Sequence, residues 1–210
     1  MANHAFLALQ TPVVPVAVVP AWIWLLLIAA GLVASITDLR SMRIPNWLTF
    51  PLFFAGLGYF SLTAGLPGLW NSLGGAAIAG GLFLAAYIIA GGGAGDAKMM
   101  MALGAWLGWQ PSVVLALGVT AVGFVYAMVI TARRGSISDI PSVILHGLIV
   151  TRAGFRKLIT GRFLISSPDP AAVSQEPAKP RPKDWFPYAP AIFIGTIVSW
   201  WYWAQFGSIV

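Results

Sequence analysis

Apolar residues run along this chain in blocks of about twenty, separated by short clusters of charge, glycine and proline. A helix needs about 20 apolar residues to cross roughly 30 Å of hydrocarbon. The blocks therefore predict about six transmembrane helices, over Pro20–Thr37, Trp47–Ala64, Leu73–Ala90, Ala97–Trp109, Ser112–Thr131 and Phe186–Phe206. The fourth rises only about 20 Å. Non-helical backbone at that depth has to be enclosed by protein or line a wet cavity.

The cations supply an orientation. Arg40 and Arg43 follow the first block, Lys98 opens the fourth, and the rest of the 12 Lys and Arg lie between Arg133 and Lys183. These are alternate loops, so the positive-inside rule places them in the cytoplasm and both termini outside. Trp22, Trp24, Trp70, Trp106, Trp109, Trp200, Trp201 and Trp203 then gather near the outer interface, with Trp47 and Trp185 near the inner one. The stretch before Pro20 lacks the cationic start of a secretory signal and is expected to lead into a retained first helix.

The predicted organisation is all-α: residues 1–131 form a five-helix part, 132–185 a basic cytoplasmic loop, and 186–210 the final transmembrane helix of the same domain. Within the loop, Ile144, Leu148, Phe155 and Leu158 alternate with Arg152, Arg156 and Lys157 in a pattern suited to an anionic membrane surface. The same cations also serve as topology signals. From Ser166 to Asp184 the proline-rich composition predicts a flexible tether.

Composition sharpens this picture. Of 210 residues, 59% are hydrophobic and 9% charged, and the mean hydropathy is +0.84, which excludes a soluble globular domain. The net charge of +6 belongs to the loops and calls for no nucleic acid. With no cysteine, disulfides, thiolate zinc sites and cysteine nucleophiles have no parts to work with, and with only His4 and His146, histidine-based metal sites and serine-histidine catalysis are nearly excluded. No metal and no cofactor are expected.

Of the six acidic residues, Asp139, Asp169, Glu176 and Asp184 fall in the long loop, where solvation accounts for them. Asp38 and Asp96 fall at predicted membrane boundaries, where an ionisable group is a functional candidate by default. The first span ends inside and the fourth begins inside, so both carboxylates reach the same face. Read singly, Asp96 serves equally well as a helix N-cap after Gly91–Gly95, and Asp38 as an interfacial partner of Arg40 or Arg43. The glycines serve either close helix packing or the approach of an extended peptide. Lys98 has Asp96 and lipid phosphate as possible partners. Pro45 and Asn46 are expected to turn and cap the second helix.

Together these segments resemble a family. Asp38-Leu39-Arg40-Ser41-Met42-Arg43-Ile44-Pro45-Asn46 is similar to the first aspartate box of type IV prepilin peptidases, and Gly93-Ala94-Gly95-Asp96-Ala97-Lys98 to their second, Gly-x-Gly-Asp-x-Lys. Pro187-Tyr188-Ala189-Pro190-Ala191 is similar to the box that opens the family's last helix, with Ala189 where glycine is usual, and no chemical role is assigned to it. The chain length resembles the short, peptidase-only form of Tad/Flp pilus systems. Larger relatives carry a cysteine-rich zinc loop and an N-methyltransferase, which a cysteine-free sequence does not imply.

The resemblance implies an aspartyl endopeptidase of the bacterial inner membrane, with Asp38 and Asp96 catalytic and Gly93, Gly95 and Lys98 shaping the site. Its substrate would be a type IV prepilin or pseudopilin, cut on the cytoplasmic side, with membrane lipids and pilus assembly machinery as further partners. Such chemistry needs one carboxylate as base and one carboxylic acid as proton donor, and two like charges held close supply both, because they resist joint ionisation. The competing reading is a small transporter or pilus-assembly scaffold using the same acids for ions, protons or a partner helix. A transporter usually places acids nearer the midplane and shows an internal repeat. A signal-peptide-peptidase relative would carry tyrosine where Thr37 precedes Asp38.

Overall fold

The computed structural model describes residues 19–90, 93–133 and 187–206, and all regular secondary structure among them is helical. The chain start, Gly91, Gly92, and the expected surface helix and tether of the long loop lie outside the described residues. Five elements follow in order: α1 Ala21–Ser41, α2 Asn46–Ala90, α3 Ala94–Leu107, α4 Trp109–Arg133 and α5 Ala189–Phe206. Among the described residues, α1, α2 and α4 carry stretches long and apolar enough to cross a membrane.

The second and third predicted spans form one continuous helical run, interrupted at Gly65, whose φ of 64° and ψ of −147° are not helical. Contacts with α3 reveal what the interruption does. Along the first arm, Asn46 meets Lys98 and Leu52 meets Trp106; along the second, Ser72 meets Ala105 and Gly80 lies against Met101. One arm therefore runs parallel to α3 and the other antiparallel. α2 is a helical hairpin with its reversal at Gly65, and α3 lies along both arms.

Glycine makes that packing close. A methyl group on Gly75 would run into the Gly104 carbonyl, and one on Gly104 into that of Gly75, so the two backbones touch directly. Ser72 Oγ donates to Ala105 O at 2.6 Å and Trp106 Nε1 to Leu52 O at 2.8 Å. α3 has 14 residues, confirming a short fourth helix, and Met99, Met100, Leu103 and Leu107 on it are fully or almost fully buried. Protein packs around most of its length.

Gly108 ends α3 with φ 75° and its N–H bonded to Gly104 O at 3.0 Å, and α4 starts at the next residue, earlier than the sequence pattern indicates. Asn71 Oδ1 accepts the Trp109 N–H at that corner. α5 runs antiparallel to both α1 and α4: Gly31 lies against Phe193, Gly195 against Val119, and Ser199 against Val114 and Gly118. The core joins Ile23, Trp24 and Leu27 of α1 to α3, Leu115 and Val119 of α4, and Ile192 of α5. Leu25, Leu62, Leu66, Leu117 and Phe124 point outward, an apolar exterior suited to lipid.

These directions sort the bundle into two ends. Trp22, Tyr59 and Trp106 form an aromatic cluster at one, with ring centroids 5.3 to 5.9 Å apart. The other end holds Asp38, the turn at Ile44, and the starts of α3 and α5.

Candidate functional site

Asp38 sits in the last turn of α1, which ends where Met42 adopts a left-handed φ of 54° and returns its N–H to Asp38 O at 2.7 Å. Its side chain is buried, at 7% exposure, and its Oδ2 accepts the backbone N–H of Ala189 at 3.1 Å. Ala189 is the first residue of α5, where a helix leaves N–H groups without intrahelical partners and carries positive dipole density. A carboxylate is well matched to that position. Arg40 and Arg43 are exposed, and Arg43 lines an open pocket of about 430 Å³ with Thr37, Ile44 and Trp47.

Asp96 lies in the first turn of α3 and is partly buried. Gly93, just before that helix, has an ordinary extended backbone, so its conformation does not call for glycine. Space does: a methyl group there would strike Asp96 Oδ2. Gly95 has a looser constraint, since its methyl would stand 3.3 Å from the Ile44 side chain. The two glycines thus do different things, one clearing the carboxylate and the other seating α3 on the turn between α1 and α2.

The two carboxylates, on different helices and far apart in sequence, lie at the same end of the bundle, where Gly95 beside Asp96 packs on Ile44 of the turn that follows α1. Tyr188 reaches from the start of α5 to α4, where its hydroxyl donates to Val119 O at 3.4 Å and occupies space left free by the missing side chain of Gly123.

The side-chain contacts of Lys98 are with α2. Its Nζ donates to Asn46 Oδ1 at 3.2 Å and stands 5.4 Å over the Phe50 ring, tying the start of α3 to the start of α2. Asn46 is the first helical residue of α2, one past the cap position expected of it, and Pro45 O accepts the Leu48 N–H in front of it. Among the described residues, no three His, Cys, Asp or Glu side chains group as a metal site.

The sequence reading missed Ser35 and the backbone of Ala189. Ser35 Oγ lies 3.0 Å from Ala189 O and 2.8 Å from Gly31 O. A signal for both was present: Ser35 precedes Asp38 by one helical turn, and Pro187 and Pro190 bracket a helix start whose few N–H groups need an acceptor.

The model of the type IV leader peptidase family matches residues 18–128. Similar proteins include a prepilin leader peptidase/N-methyltransferase of Aeromonas salmonicida (strain A449), 35% identical over 165 residues, covering 73% of this chain and 55% of that protein. Its Burkholderia pseudomallei (strain K96243) namesake is 43% identical over 114 residues, covering 47% of this chain and 35% of the relative. A third, from Escherichia coli (strain K12), is 32% identical over 112 residues, covering 49% of each. The chain spans about half the length of the curated relatives it matches, or less. No solved structure matches it. The family match takes in more than half of the chain, including both aspartates and the helices that carry them, and the chain belongs to the type IV leader peptidase family.

Proposed function

We propose that this chain is an aspartyl endopeptidase of the bacterial inner membrane that removes the leader from type IV prepilin or pseudopilin precursors, with Asp38 and Asp96 activating water. The observation that carries this reading is the convergence of α1 and α3 at one end of the bundle. It puts the two acids of the described residues at the same end, with Gly95 beside Asp96 packed on Ile44 of the turn after α1.

A water between the carboxylates gives its proton to one while the other protonates the carbonyl oxygen or the leaving amine. Each such proton transfer contributes about 10²- to 10⁴-fold. The N–H of Ala189 holds one oxygen of Asp38. The cations around this end, Arg40, Arg43 and Lys98, support a cytoplasmic orientation by the positive-inside rule. A precursor whose hydrophobic helix rests in the bilayer would then present its leader where the aspartates lie.

The activity proposed is the peptidase alone, in the manner of Tad/Flp systems. The names of the relatives include an N-methyltransferase, but the matched part holds the aspartate boxes, and the sequence contains no cysteine for a zinc loop. The test is coexpression of a prepilin precursor from the same genome with wild type, Asp38→Asn or Asp96→Asn, with membrane levels of all three followed in parallel. A shortened pilin with wild type alone supports the reading. Unchanged processing in both variants moves the weight to a scaffold.

A further inference from the structure

We infer that Ser35 is a positioning residue for Asp38, acting through Ala189; this rests on the catalytic reading of Asp38. Ser35 and Asp38 lie three residues apart on one face of α1, and their side chains hold opposite sides of one residue of α5. Asp38 takes the N–H of Ala189 at 3.1 Å, and the Ser35 hydroxyl lies 3.0 Å from the Ala189 carbonyl oxygen. The Ser35 proton is shared between Ala189 O and Gly31 O, the latter at 2.8 Å on its own helix, and the two contacts to Ala189 go to the peptide groups before and after its Cα, so together they restrain both the position and the rotation of the helix start.

The register they hold has consequences, because the next residue is Pro190, whose nitrogen has no hydrogen. A shift of α5 by one residue in that direction would present Asp38 with no donor. Nearby packing is tight but apolar: a Cβ on Gly31, one turn below Ser35, would lie 3.4 Å from the Phe193 Cα, which limits separation without choosing a register. On the α1 side the directional restraint comes from Ser35, as Tyr188 supplies one on the α4 side through Val119 O. Buried at 5% exposure and not directed at the carboxylate itself, Ser35 fixes the donor that orients Asp38.

Steady-state cleavage of a prepilin precursor by the full chain in liposomes tests this, comparing wild type, Ser35→Ala, Ser35→Cys, Ser199→Ala and Asp38→Asn. Ser199 is the matched control, since its hydroxyl also joins α5 to a neighbour, bonding Val114 O at 3.3 Å, but on α4 and farther along α5. Ser35→Ala is expected to lower kcat about three- to tenfold with KM unchanged, Ser35→Cys to fall between it and wild type, and Ser199→Ala to keep wild-type kcat. Wild-type kcat in Ser35→Ala, an equal loss in Ser199→Ala, or a change confined to KM overturns the inference. Should Ser35→Ala fail to accumulate in membranes, Ser35→Cys decides by the same criteria. An inactive Asp38→Asn beside a fully active Ser35→Ala sinks this inference only, whereas an active Asp38→Asn removes the catalytic reading on which it stands.

Discussion

The Asp38 carboxylate accepts the backbone N–H of Ala189 at 3.1 Å, which joins the last turn of the first helix to the first turn of the last one. One acid of the pair is thereby held by a helix dipole, while the other, Asp96, sits over a glycine at the start of a different helix. This difference in support bears on how substitutions should behave.

Asp38→Asn retains an oxygen that can accept the Ala189 N–H, so the protein is expected to insert and accumulate normally while leader removal is lost. Asp96→Asn should give the same result, with each loss at least about 10²-fold, the low end for a general acid or base. Asp139→Asn and Asp184→Asn, in the long loop, should process at the wild-type level. Immunoblots of precursor and mature pilin, with enzyme levels from the same membranes, check all four. Equal losses would indicate general damage and remove the case for a dedicated pair.

At the opposite end, Trp106 donates to Leu52 O at 2.8 Å and stacks on Tyr59 with centroids 5.5 Å apart. Trp106→Phe keeps a ring but removes the donor, leaving a buried carbonyl with one partner fewer. A loss of about 1 kcal/mol in unfolding free energy is expected. Catalysis should be unaffected, because the change lies at the end remote from the aspartates. Denaturation in mixed detergent micelles, alongside a cleavage assay, separates the two effects.

Glycines in the hairpin make a graded stability series. Gly75→Ala sets a methyl against the Gly104 carbonyl and the Gly108 backbone, neither of which can rotate away, so destabilisation of about 1 to 3 kcal/mol is expected. Gly81→Ala meets nothing within 4 Å and should be neutral or stabilising by up to about 1 kcal/mol. Gly65→Ala has room but the wrong backbone, at φ 64° and ψ −147°, and is expected to cost about 1 to 3 kcal/mol. Thermal unfolding in one detergent ranks them, and a stability equal to wild type in Gly65→Ala would show that the hairpin does not depend on this turn.

The bundle was legible in the sequence because its helices announce themselves by length and apolarity, and the two acids because charge is so rare in such a chain. The reversal at Gly65 was legible only as a gap between two apolar runs. What stayed hidden depends on pairing across distance. Nothing in the sequence states that α5 starts against the end of α1, so the donor on Ala189 and the hydroxyl of Ser35 could not be connected to Asp38. Lys98 is a further case: its side chain reaches Asn46 and Phe50, partners the sequence did not offer, because the first arm of α2 packs parallel to α3 and brings them to hand.

Gly93 and Gly95 give the sharpest discrimination within the site. Both lie in the same box, and a role in backbone flexibility would make them equivalent. The geometry makes them unequal. A methyl at position 93 collides with Asp96 Oδ2 and forces the carboxylate to turn, whereas one at position 95 meets Ile44 at 3.3 Å, where a small shift of a turn suffices. Misplacing a reacting group by about 1 Å can cost about 10²-fold in rate. Gly93→Ala is therefore expected to lower kcat by about 10- to 100-fold, with KM and membrane levels near wild type. Gly95→Ala should lose less than about fivefold in kcat on the same argument, with some loss of thermal stability. Side-by-side kinetics on one precursor check the order, and a larger kcat defect in Gly95→Ala would mean that seating α3 on the Ile44 turn, and not clearance for Asp96, is what the glycine box provides.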